Sequence, residues 1–348
     1  MIWFAWRQFR FQALVVFGLL VAVALFFIVT GPHLADLYGE LKVCKAHGDC
    51  DSLTSSLLNT YNKELPFVQA LDVIFPALLG MFWGAPLIAR ELESGTYRLA
   101  WTQGVTRSRW VLTKLAVVGG ASMLATGLLS WMFTWWADPI NTLNASRFGS
   151  AVFDTSYIAP IGYAAFAFAL GVAAGVLWRR TVPAMATTIA AYVAVRVPFD
   201  HFVRPHLLSP VTLAASLKSV GNIGFERTPN GVSFIAGDVK RPNSLVASTS
   251  VVGKHGGEVT QQWLRDNCRS LLQLNSPNPG KGGHVTTGIR PKAFTECIDK
   301  ISASFHEVLL YQPAYRFWTF QWIEMTIYLV IAVLLGALSY WWVRRRFA

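Results

Sequence analysis

The sequence predicts an all-α polytopic membrane protein with six transmembrane helices. It adds an N-terminal interfacial helix and an extended external domain between helices five and six. Three observations predict this. First, 53% of residues are hydrophobic and only 14% are charged, against about 25% charged in an average soluble domain. Second, six apolar runs reach or approach the ~20 residues that cross a bilayer. Third, Lys and Arg gather beside alternate runs, which is how a chain records its orientation in a membrane.

The runs, in order, are Ala13–Val29, Phe67–Ala89, Val111–Trp136, Tyr157–Trp178, Thr181–Phe199 and Trp318–Val343. The first has a basic flank in Arg7 and Arg10 but no small-x-small cleavage site, so it is expected to be retained rather than removed as a signal. The second carries Asp72, Pro76 and Pro86. The fifth opens with Pro183 in its first turn, where proline is tolerated. The tight turn Trp178-Arg179-Arg180-Thr181 makes runs four and five an antiparallel hairpin. Ahead of the first run, Met1–Gln12 mixes aromatics with Arg at helical spacing, which suits a helix lying in the interface plane. Gly162, Ala164, Ala165, Ala167, Gly171, Ala173, Ala174 and Gly175 in the fourth run are small residues of the kind that let helices pack closely in lipid.

Arg7 and Arg10, then Arg90, Arg98, Arg107, Arg109 and Lys114, then Arg179 and Arg180, then Arg344, Arg345 and Arg346 fall on one side. The short opposite connections are poorer in basic residues. Both termini are therefore expected in the cytoplasm of a multi-pass plasma-membrane protein. The net charge of +11 belongs to this flanking pattern and does not imply a nucleic-acid partner.

Residues 1–200 are expected to hold the first five helices, with a cytoplasmic connection over 90–110. Residues 201–316 would form the extracytoplasmic domain, and 317–348 the last helix and a basic tail. The external stretch contains helix-like pieces around Gln261–Leu274 and Ala293–Leu310 and a Gly/Pro/Asn-rich loop over Asn275–Gly283. All four cysteines fall outside by this topology. Two disulfides, Cys44 with Cys50 and Cys268 with Cys297, are expected in an oxidising compartment, each within its own loop; the competing reading is four free, buried thiols.

The most informative connection is Arg90-Glu91-Leu92-Glu93-Ser94-Gly95-Thr96-Tyr97-Arg98-Leu99-Ala100-Trp101, leading through Thr106-Arg107-Ser108-Arg109-Trp110 into the third run. An orientation signal needs Arg but no Glu-x-Glu-x-Gly-Thr; a solvated cap on a helix hairpin is the plainer alternative. This stretch resembles the coupling segment of ABC-2 type exporter permeases, in which an acidic-x-acidic-x-Gly-Thr element opens the cytoplasmic connection that docks on the ATPase. The topology and the ending Tyr311–Trp322 with Trp341–Arg346 extend the resemblance over most of the chain. The external segment departs from it, being far longer than the family's short re-entrant pair. The resemblance implies a permease subunit of an ATP-driven exporter of an amphipathic drug, lipid or peptide. It assigns Glu91, Glu93, Gly95, Thr96, Arg98 and Trp101 to ATPase coupling. It also implies two ATP-binding subunits carrying ATP and Mg, and a second permease copy or close relative.

No catalytic or cofactor site is expected in this chain. Pro279–Gly283 lacks the spacing of a P-loop, and His306-Glu307 lacks the second His of H-E-x-x-H. Asn144-Ala145-Ser146 matches a glycosylation acceptor. Ionisable groups inside spans are functional candidates by default: Asp72, Arg196, Asp200 and Glu324 would line an outer gate or cavity, with Arg196 and Asp200 spaced to pair at i, i+4. The alternative is that they sit near span ends and reach water. Two other functions stay in view: a membrane enzyme with its site in the external segment, and a sensor or assembly partner that binds a ligand there.

Overall fold

The computed structural model describes residues 2–47, 50, 52–56, 64–95, 106–144, 147–217, 223–228, 231–236, 242–254, 256–257, 259–268 and 292–346. They divide into two compact units. One comprises Met1–Arg204 with Tyr315–Ala348, and the other Pro205–Ala314.

The first unit is helical, as a backbone deprived of water must be. Six of its helices are long and apolar enough to cross a membrane. Helix α1 runs Ile2–His47. Helix α2, Glu64–Leu79, passes through a π turn at Gly80–Gly84 into α3, Ala85–Ser94. Helix α4 spans Arg107–Asn144, and the short α5 Ser150–Thr155. Helix α6 is Ala159–Trp178; α7 is Thr181–Pro198, prolonged by a π turn at Phe199–Val203 and a 3-10 turn at Arg204–His206. Helix α10, Phe317–Arg346, closes the chain.

Several helices are longer than their apolar runs. The segment expected to lie in the interface is helical, but it forms the first turns of α1, which continues unbroken through Pro32. At 1.5 Å per residue α1 is about 69 Å long. Span five was expected to close at Phe199; instead helical backbone continues through the π turn to Val203 and a 3-10 turn to His206. Pro198 lacks the N–H that would bond the Ala194 carbonyl, and the next N–H, that of Phe199, is shared between the Val195 and Arg196 carbonyls. Helix α1 packs on α4 through Phe27 stacked on Trp136 at 5.1 Å, and the Trp136 indole donates to Thr30 Oγ1 at 2.9 Å.

Helix α6 is the centre of this unit, buried along most of its length. Its small residues permit backbone-to-backbone approach. A Cβ placed on Gly171 would lie 2.2 Å from the Gly80 carbonyl oxygen, and one on Gly84 would lie 2.5 Å from that of Phe168. The π turn of span two is thus wedged directly against α6. By contrast Phe11, Leu14, Val15, Val21, Ile28 and Val29 of α1 are exposed, as lipid-facing side chains are.

The second unit mixes strands and short helices. Strands β1 (Val211–Ala215), β5 (Phe305–Gln312) and β4 (Leu245–Gly253) form an antiparallel sheet with β5 in the middle; β2 (Ile223–Thr228) and β3 (Gly231–Ala236) form a separate hairpin. Helix α8 is Gln261–Asn267 and α9 is Lys292–Ser304. The helix expected over 293–310 therefore stops at Ser304, and the following residues form the central strand. Phe305, Glu307 and Leu309 are buried in alternation, and pairing on both edges overrides a helical reading of an apolar run. The loop over 275–283 lies outside the described residues, as do Ala145 and Ser146 of the glycosylation pattern.

Both expected disulfides are present, Cys44–Cys50 and Cys268–Cys297. The second joins the end of α8 to α9 over a core of Leu217, Leu264, Ile301 and Phe305, with Trp263 edge-on to Phe305 at 4.9 Å. It closes a 29-residue separation, which in the chain-entropy view is worth about 3–4 kcal/mol. Replacing Cys268 and Cys297 by serine should therefore make the Pro205–Ala314 unit much more sensitive to limited proteolysis in the intact protein, with the helical unit unaffected. Unchanged protease resistance would contradict this.

Candidate functional site

Two polar assemblies lie at opposite ends of α7. The first gathers where α6 begins, α7 ends and α10 begins. Asp154 comes from α5, Tyr163 from α6, Arg196, Asp200 and Arg204 from α7 and its extension, and Glu324 and Tyr328 from α10. Glu324 is 0% exposed, Arg204 1% and Arg196 8%. Arg204 grips Glu324 with two N–H groups, Nε to Oε2 and Nη2 to Oε1, both at 2.9 Å. It also pairs with Asp154 and Asp200. Arg196 binds Glu324 Oε1 at 3.0 Å and Asp154 Oδ2 at 2.9 Å. Its guanidinium lies over the Tyr163 ring, 3.7 Å from the centroid. The Tyr163 hydroxyl donates to Glu324 Oε1 at 2.7 Å.

The bidentate fork matches a planar guanidinium to a carboxylate, the strongest geometry such a pair adopts. Taking five charges out of water is expensive, and each survives because every neighbour is a counter-charge or a hydrogen-bonding group. Local structure aims them. Ser130 of α4 donates to the carbonyls of Thr155 and Tyr157, both at 3.0 Å. Gln321 of α10 accepts from the Ala159 N–H at 2.8 Å and donates to the Phe153 carbonyl at 3.2 Å. These bonds fix α5 and so the position of Asp154.

The i, i+4 pairing expected between Arg196 and Asp200 does not form. Asp200 pairs forward with Arg204, and Arg196 reaches across to α5 and α10. Arg196, Glu324 and Asp200 are brought together, but Asp72 does not join them. Asp72 is 1% exposed, and among the described residues neither of its carboxylate oxygens has a hydrogen-bond partner. Sequence reasoning missed Asp154, Arg204, Tyr163 and Tyr328. The signal for Arg204 was available: residues 196, 200 and 204 alternate in sign at i+4. Asp154 had none, since it sits just ahead of an apolar run on a segment that reads as loop.

The second assembly gathers where α3 ends, α4 begins and α7 begins. The Glu91 carboxylate pairs with Lys114 of α4 at 2.5 Å, and the Lys114 ammonium lies 4.7 Å from the centroid of the Trp110 ring. Glu93 Oε2 accepts from the Thr181 backbone N–H at 3.0 Å and from its hydroxyl at 2.9 Å. It thereby satisfies a donor that a helix start leaves orphaned, at the end where the helix dipole favours an anion. Both acids are thus engaged within the chain. Gly95 ends α3 in the left-handed conformation, φ 72°, the usual C-terminal stop. Thr106 Oγ1 accepts from the Arg109 N–H at 3.4 Å, capping α4. Thr96, Arg98 and Trp101 lie outside the described residues. Among the described residues, no group of three or more His, Cys, Asp or Glu is arranged to hold a metal ion.

Six long apolar helices around a buried charge cluster define a polytopic membrane protein. A family model described as ABC-2 membrane transporter related matches residues 17–204, more than half of the 348-residue chain, and the chain belongs to that family. Its members are membrane permeases that work with an ATP-binding ABC subunit. No curated protein and no solved structure matches the chain.

Proposed function

We propose that this chain is the permease subunit of an ATP-driven exporter moving an amphipathic molecule, a drug, lipid or peptide, out of the plasma membrane. Family membership over residues 17–204 is the observation that carries the reading. Both termini and the Arg90–Trp110 connection face the cytoplasm, and the charge cluster faces outward. Two ATP-binding subunits, which hold ATP and Mg, dock below two permease copies, either identical or closely related. Gly95, Thr96, Arg98 and Trp101 dock on the ATP-binding subunit, while Glu91 and Glu93 brace the end of α3 against α4 and α7. The Asp154–Arg196–Asp200–Arg204–Glu324 cluster is the closed outer gate. Asp72 lines the path as a buried carboxylate without a partner among the described residues, which is costly enough to argue for a role.

The test is co-purification from the native host in mild detergent, with mass spectrometry of whatever accompanies the tagged chain. A P-loop ATPase is expected, and it should be lost when Arg98→Glu and Trp101→Ala are combined. Repeated absence of any ATPase from the unaltered chain would remove the engine and overturn the reading.

A further inference from the structure

We propose that span five, gripped at its start by Glu93, is the rod that carries motion of the coupling segment to the charge cluster. This rests on the exporter reading above and assigns Thr181 and Glu93 as positioning residues for gate opening. Three observations carry it.

The grip is specific. One carboxylate oxygen of Glu93 holds both the N–H and the hydroxyl of Thr181, and the chain turns away immediately afterwards at Gly95. Any displacement of the end of α3 therefore acts on the first residue of α7.

The rod is continuous. Helical backbone runs from Thr181 through the π turn to Arg204, about 35 Å at helical rise and enough to cross the ~30 Å hydrocarbon core. Its far end carries Arg196, Asp200 and Arg204, three of the cluster's seven side chains.

The rod is less enclosed between its ends than α6. The buried residues of α7 are Ala184, Thr188, Tyr192 and Arg196, a single i, i+4 ridge. Helix α6 is instead packed on nearly all sides, backbone against backbone with the π turn of span two. A helix with one fully buried ridge and partly exposed flanks has more room to shift than one wedged backbone to backbone at glycine contacts. Helix α6 is the fixed member and α7 the moving one. Movement of α7 draws Arg196 and Arg204 off Glu324, which is anchored separately on α10.

The experiment uses the complex purified from its host, with Phe199→Cys as the reporter. Phe199 packs on Tyr328 at a centroid distance of 5.1 Å, beside the cluster. All four native cysteines of this chain are in disulfides, so the reporter is its sole thiol, and labelling is read on this chain's band after the subunits are separated. Labelling by a membrane-impermeant maleimide is timed with and without ATP and Mg. ATP should accelerate labelling several-fold in the reporter chain. Glu93→Ala should abolish the acceleration, Thr181→Val should reduce it, and Thr181→Ser, which keeps the hydroxyl, should preserve it. The ratio with and without ATP reports transmission, and a change in packing alone would leave it intact. If Glu93→Ala fails to assemble, Thr181→Val against Thr181→Ser decides the matter. Full acceleration in Glu93→Ala or Thr181→Val overturns the rod while leaving the exporter reading standing. No acceleration in the reporter chain itself, with an ATPase bound and hydrolysing, overturns the gate and the rod together.

Discussion

Glu324→Ala is expected to destabilise the membrane unit by ~3–5 kcal/mol, the cost of breaking a buried ion pair from one side. The carboxylate has no solvent access and receives Arg204 through two N–H groups, Arg196 through one and the Tyr163 hydroxyl through another. Alanine leaves two guanidinium groups facing a void. Asp154 remains for both and Asp200 for Arg204, so the loss is large but not total. Glu324→Gln keeps the shape and one acceptor oxygen, so it should cost less than alanine while still losing one arm of the Arg204 fork. Thermal unfolding in detergent measures both. Pairing Glu324→Ala with Arg204→Ala in a double-mutant cycle should give a cost well below the sum of the singles, since residues in one network couple. A loss of less than ~1 kcal/mol for Glu324→Ala, the range of an exposed pair, would mean that the cluster is not closed to water.

Gly171→Ala is expected to be the most damaging single-methyl addition in the helical unit. The added Cβ would sit 2.2 Å from the Gly80 carbonyl oxygen and 2.8 Å from the Ala85 amide nitrogen. Both are backbone atoms, which cannot swing aside, so α6 must part from the π turn of span two. Overpacking of this kind costs ~1–3 kcal/mol or more. The controls are Gly120→Ala and Gly336→Ala, where nothing lies within 4 Å of the new methyl. There alanine should stabilise slightly, because glycine costs a helix interior up to about 1 kcal/mol. Thermal unfolding of the three variants separates the readings. Equal behaviour at all three positions would show that α6 and span two are not in contact.

Much of the framework could be read from local features. A run of apolar residues long enough to cross a bilayer declares itself by length and composition. Cysteines paired within their own loops leave few alternatives. The Glu91-Leu92-Glu93-Ser94-Gly95 stretch pointed to the family that the match over residues 17–204 establishes. The less legible features depended on contacts made elsewhere. Helix α1 outran its apolar run because Pro32 and the polar turns after it continue the helix. The strand Phe305–Gln312 followed from partners on both sides, and those partners are far off in sequence.

The chain alone thus determined a six-helix membrane protein and pointed to its family and its two disulfides, because lipid solvation and neighbouring cysteines act on residues close in sequence. The tertiary structure decided the partners of the buried charges. In sequence Arg196 had Asp200 one turn away, yet in the fold it takes Asp154 and Glu324. A buried guanidinium with five donors needs more acceptors than one helix face supplies. Only the packing of α5, α6, α7 and α10 against one another brings those acceptors within reach. Glu93 shows the same dependence: its partner is the start of a helix 88 residues later, and no spacing rule connects the two.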